Sequence, residues 1–174
     1  TGEIRKMYGI HNLVEAFLSL NRTDVELWLF GNGLQFYPEL QKTISENPSV
    51  KYMGIKPNYE IVEIQRKATL LINPRLTENY GDYIKYSFPS KNIEYMLSGT
   101  PCITTKLPAI TKEYDDFIYY FDDESVDGMK KVLNDCLNIP DEQLKIKGEQ
   151  AKKFVLNKMN NKEITKRIIS FFDS

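Results

Sequence analysis

The chain has 174 residues, of which 41% are apolar and 27% charged, and its formal net charge is -1. That is the length of one domain with ample core material, and it lacks the basic excess that general nucleic-acid binding needs to neutralise phosphates. No apolar run approaches the ~18 residues of a bilayer span and no signal peptide precedes the domain. Cys102 and Cys136 have no metal-ligand spacing and read as buried thiols of a reducing, cytoplasmic compartment, with a disulfide left open.

The opening "TGEIRKMYGI" reads as a loop with no strand before it, as in an excised domain or one whose first strand is cut short. Ile10, Leu13, Val14, Phe17 and Leu18 then fall at helical spacing after Gly9. "VELWLFG" is a short apolar run of the kind buried on both faces of a sheet. "LQFYPELQKTISEN" can be helical, with Pro38 in its first turn or marking its true start. "VKYMG" is a strand, "NYEIVEIQRKA" a helix with Asn58 as its cap, and "TLLINP" a further strand. The polar loop "RLTENYGDYIKY" leads to "SFPSKNIEYMLSG", a helix closed by glycine. "PCITT" is a strand, "PAITKEY" a short helix and "FIYYF" the last strand. From about residue 125 the chain is a helical tail, ending in "NKEITKRIISFF".

Alternating strands and helices imply an α/β fold, a Rossmann-like, doubly wound parallel sheet forming a single domain. In such sheets ligands bind at the carboxyl ends of the strands. Four loops fall on that edge. The first, from Gly2 to Gly9, carries Arg5 and Lys6, which suit a phosphate as well as they suit a solvated surface. The second, "FGNG", has Gly31 and Gly33 for a close backbone approach or merely a tight turn. It lacks the third glycine of the dinucleotide fingerprint. In the third, "GIKPN", Gly54 and Pro57 shape a turn whose backbone amide and carbonyl could pair with a planar base.

The fourth precedes the "SFPSK" helix. Pro89 is tolerated in a first turn and Ser87 or a neighbour can cap it. The Ser90 and Lys91 amides, the Ser90 hydroxyl and the Lys91 ammonium would converge at the positive end of the helix dipole, where a diphosphate fits. Glu94 lies five residues past Pro89, roughly 7 Å along the axis. An acceptor-only carboxylate there suits a ribose diol. An ordinary capped helix accounts for the same residues equally well.

The order "GEIRKMYGIHNLVEAF", "ELWLFGNG", "VKYMG", "ATLLINPR" and "YSFPSKNIEYMLSGTPCITT" resembles the C-terminal, donor-binding domain of GT-B glycosyltransferases, most nearly retaining family four. The likeness runs from Gly2 to about Phe121. It implies binding of a UDP- or GDP-linked sugar, with no metal and no other cofactor. A glycan or lipid-linked acceptor would be held by a separate N-terminal domain, for polysaccharide or lipopolysaccharide synthesis. A lipid-linked acceptor would bring peripheral association with the inner face of the membrane. By position, Glu94 would hold the ribose, the amides near Ser90 and Lys91 the diphosphate, Gly31 and Gly33 would line the nucleotide cleft, and Ile55 would offer backbone groups to the base. Tyr86, Ser87, Phe88 and Pro89 complete the segment.

This chain departs from that pattern in two places. Tyr86 stands where many members carry a glutamate facing the donor sugar. Glu3 and Tyr8 stand where the first loop often has arginine and lysine, leaving Arg5 and Lys6 as substitutes. His11 is the only histidine, so no histidine-based triad can be built. Asp82, Asp115, Asp116, Asp122 and Asp123 read as solvated loop charges. A non-catalytic nucleotide-binding module and a GT-B-like sugar-nucleotide epimerase are the alternatives.

Overall fold

The structure is a computed structural model that describes residues 1–77, 85–121 and 123–158. Its helices are α1 (Ile10–Ser19), α2 (Pro38–Glu46), α3 (Asn58–Lys67), α4 (Ser90–Ser98), α5 (Val126–Leu137) and α6 (Asp141–Lys158). Its strands are β1 (Leu27–Leu29), β2 (Val50–Tyr52), β3 (Leu71–Asn73), β4 (Cys102–Thr105) and β5 (Tyr119–Phe121).

All strand pairings are parallel: β1 with β2, and β3–β4–β5 in that order. Parallel strands need crossover connections, which here are helices that cover both faces. On β4, Ile103 enters a core with Leu13, Val14 and Phe17 of α1, Leu27 and Leu29 of β1, and Met129 and Leu133 of α5. Its neighbour Cys102 enters a second core with Tyr95 and Met96 of α4 and Ala151 and Val155 of α6. Adjacent strand residues point to opposite faces, so one strand feeds both cores. This is the doubly wound α/β domain expected from the sequence.

The strands fall into two hydrogen-bonded groups, and residues 1–8 tie them together. The Gly2 and Ile4 amides donate to the Phe30 and Asn32 carbonyls at 3.0 and 2.7 Å, continuing a ladder beside the end of β1. On the other side, the Leu76 amide beyond β3 donates to the Met7 carbonyl at 3.2 Å. Gly31 and Gly33 make this possible. Cβ atoms on them would lie 1.5 Å from the Gly2 oxygen and 2.5 Å from the Ile4 oxygen.

Several boundaries differ from the sequence reading. Asn58 is the first residue of α3 rather than its cap; Pro57 holds that position and no side chain caps the helix. "PAITKEY" forms only a 3-10 turn at Lys112–Tyr114, because Pro108 and the short span leave no room for a full helix. The helical stretch from Leu34 breaks into a 3-10 turn, Leu34–Phe36, and α2, whose first turn does hold Pro38. The tail is helical through α6; "NKEITKRIISFF", Asp82 and Asp122 lie outside the described residues.

Candidate functional site

A cleft of about 220 Å³ opens at the carboxyl ends of β1 and β3. Gly2, Glu3 and Tyr8 of the first loop form one wall, and Asn73 and Arg75 beyond β3 another. Ser90 and Lys91 of α4 close the third side. The strand edge expected to bind ligand is therefore concave, with an apolar floor from residues such as Ile4, Leu29 and Ile72 and one wall built on a helix N-terminus.

Buried amides hold α4 in place. The Asn73 side-chain amide donates to Asn92 Oδ1 at 2.7 Å, and Asn92 is fully buried. That bond fixes the first turn of α4 to the end of β3. The cap position of α4 is held by Pro89 rather than Ser87, with extended backbone and no side-chain cap bond of its own. Phe88 anchors the approach from the other side, its ring 5.1 Å from that of Tyr114. The positive end of the α4 dipole, at Ser90 and Lys91, thus borders the cleft.

Glu94 lies one turn further along and accepts two hydrogen bonds. Gln65 Nε2 of α3 donates to Oε1 at 2.5 Å, and Lys91 Nζ donates to Oε2 at 2.9 Å. Gln65 is itself buried. Burial would raise the Glu94 carboxyl, but the bonds from Gln65 and Lys91 outweigh it and hold the group below its ordinary value. Lys91 thus belongs to the cleft and to Glu94 at once, where the sequence reading gave it only to an anion.

The other expected residues divide sharply. Arg5 pairs with Glu3 at 2.7 Å, the Lys6 amide donates to the Tyr37 hydroxyl, and neither side chain lines the cleft. Gly31 and Gly33 have the positive φ expected, 137° and 102°, but their open space is taken up by the backbone of residues 2–4. Ile55 and Tyr86 are exposed, at 74% and 85%, and neither lines this cleft. His11 lies edge-on to Tyr37 at 5.3 Å, and burial lowers its pKa.

Asp115 pairs with Lys106, and Asp123 accepts from Ser125, ordinary roles for exposed loop carboxylates. Cys102 and Cys136 are both free and buried, which settles the disulfide question. No cluster that could hold a metal occurs among the described residues. No described helix is long and apolar enough to cross a membrane.

Asn73, Asn92, Gln65 and Arg75 were not singled out from the sequence. Asn73 and Arg75 flank Pro74 at the end of a predicted strand, a place where polar residues reach the binding edge. Gln65 carried no local signal.

The fold and the cleft define a doubly wound α/β domain with an anion-suited helix end at its binding edge. By sequence match over residues 1–138, the chain belongs to the family described as glycosyl transferases group 1. No curated protein matches it. Among solved structures, it is similar to Anabaena HepE in complex with UDP and glucose: TM-score 0.72, 16% identity, covering 99% of this chain and 47% of that one. HepE in complex with UDP-glucose matches with TM-score 0.71 and 19% identity, over 99% and 48%. The N-terminal domain of Candida albicans trehalose-6-phosphate phosphatase matches with TM-score 0.68 and 15% identity, over 90% and 37%. The chain thus spans about half the length, or less, of the structures it matches.

Proposed function

We propose that the chain is the donor-binding domain of a glycosyltransferase and that the cleft receives a nucleoside diphosphate sugar. One observation carries this reading: a cleft at the strand ends is lined by Ser90 and Lys91 at the start of α4, and the Glu94 carboxylate, which accepts from Lys91, lies one turn beyond. Donors come first and an acceptor-only group follows, the order in which a diphosphate and a ribose diol present themselves. Family membership agrees with it, and the UDP and UDP-glucose held by HepE make uridine diphosphate the first ligand to try.

In this reading the domain's electrostatic contribution is to stabilise negative charge that builds on the departing diphosphate. Arg5, Lys6, Ile55 and Tyr86 lie outside the cleft lining, and Gly31 and Gly33 pack on residues 2–4, so the proposed site rests on Ser90, Lys91 and Glu94. A second Rossmann-type domain, preceding this one, holds a glycan or lipid-linked acceptor. Transfer proceeds without a metal at the cytoplasmic face of the membrane, with retention of configuration, in assembly of a cell-surface polysaccharide.

Calorimetric titration with UDP, GDP and ADP tests the site. UDP or GDP binding that weakens at least tenfold in Glu94→Ala is the expected result. Absence of binding by all three, or an unchanged affinity in the variant, removes the donor-site reading. Sugar transfer to a glycan acceptor by this chain alone would contradict the need for an acceptor domain.

A further inference from the structure

We infer that Arg75, positioned by the ring of Tyr8, is the second cation that grips the diphosphate; this deepens the donor-site reading and rests on it. Of the lysines and arginines expected at the phosphate, Arg5 and Lys6 point elsewhere. The basic side chains lining the cleft, among the described residues, are Lys91 and Arg75. A diphosphate carries more than one negative charge, so a cleft lined by two basic side chains matches it better than one lined by Lys91 alone.

Arg75 is built for a fixed position. Its amide donates to the Thr105 hydroxyl at 2.9 Å, and that same hydroxyl donates to its carbonyl at 2.8 Å. Thr105 is buried at the end of β4, so a strand end clamps the arginine backbone on both sides. The guanidinium carbon sits 4.7 Å from the centre of the Tyr8 ring, a cation–π distance. Beside an aromatic ring the guanidinium keeps its charge, and its planar N–H geometry matches phosphate oxygens.

The first loop is pressed against the arginine's own segment. A Cβ on Gly9 would be 3.4 Å from Pro74 and Leu76 side-chain atoms, and the Leu76 amide bonds the Met7 carbonyl. Tyr8 and Arg75 are therefore brought together by two loops docked as a unit. The first loop contributes no cation of its own to the cleft; it contributes the aromatic platform on which one from another loop rests. Tyr8 is the positioning residue and Arg75 the binding residue.

The test is titration of UDP, UMP and uridine into the full chain, with thermal unfolding of every variant. Arg75→Gln should weaken UDP by about ten- to a hundredfold and leave uridine within about twofold of the wild type. Arg75→Lys should recover part of the loss, since an ammonium supplies charge without the fork. Tyr8→Leu should weaken UDP but add nothing further in an Arg75→Gln background. If the wild type binds UDP and Arg75→Gln binds it equally well, the role of Arg75 is overturned and the donor site stands. A loss spread equally over UDP and uridine, with lowered unfolding temperature, also overturns it. If the wild type binds no nucleoside diphosphate, both readings fall.

Discussion

At the scale of single residues, Glu94 shows how a polar helix can present a carboxylate without leaving it bare. The group is held below its ordinary value of 4.5. A carboxyl lower in the folded than in the unfolded chain contributes stability above its ordinary value, and that contribution is lost as pH falls through the folded value. The wild type should therefore lose its advantage over Glu94→Gln as the pH falls below about 4.5. Urea midpoints of the two proteins across that range measure it; a difference that does not change with pH would exclude the linkage. The thiols make a companion case. Burial pushes both Cys102 and Cys136 up to about 12, so neither is a nucleophile at neutral pH. A thiol reagent should react with them only on unfolding, and rapid modification of the native chain would contradict their burial.

At the scale of elements, helix ends carry most of the local specification. Ser125 caps α5 by accepting from the Gly128 amide at 3.0 Å, while Asp123 accepts from the Ser125 amide at 2.8 Å. Gly128 has no Cβ because one would meet Asp123 Oδ1 at 2.1 Å. Ser125→Ala should cost about 1 kcal/mol in chemical denaturation, and no change would mean that the cap bond is not formed in solution. The end of α4 is set by Gly99 in the left-handed region, φ 83°. Where these signals were local, sequence sufficed to find the element: α1 after Gly9, α2 from Pro38, α4 before Gly99. It found α3 but placed its cap one residue late, at Asn58 instead of Pro57, and it read "PAITKEY" as a helix where only a 3-10 turn forms. A propensity carries no information about the position that the neighbouring backbone has already taken.

At the scale of the whole molecule, alternation of strand and helix was enough to read the doubly wound sheet, and β4, "CITT", is buried throughout as its apolar run implies, whereas β1, expected to be buried on both faces, exposes Trp28 at 44%. The candidate site was half legible. Lys91, Ser90 and Glu94 share one helix, so spacing along an axis places them. Arg75, Tyr8 and Asn73 meet only across loops whose docking depends on contacts between remote segments, and Gly31 and Gly33 proved to serve such a contact. That docking is testable. Gly31→Ala places a Cβ 1.5 Å from the Gly2 oxygen, so it should free residues 2–4 and raise hydrogen exchange at the Gly2 and Ile4 amides by at least tenfold. Unaltered protection would show that the first segment is held by something else.

The same logic of close approach governs the back of the site. A Cβ on Gly148 of α6 would lie 2.0 Å from the Gly99 carbonyl oxygen, a backbone atom that cannot swing aside. Gly148→Ala should therefore destabilise the chain by about 2 kcal/mol, overpacking outweighing the gain in helix propensity. The seam also sets how α4 is backed. Gly148 lets α6 lie directly against the Gly99 carbonyl, so the end of the helix whose start borders the cleft is braced by backbone contact.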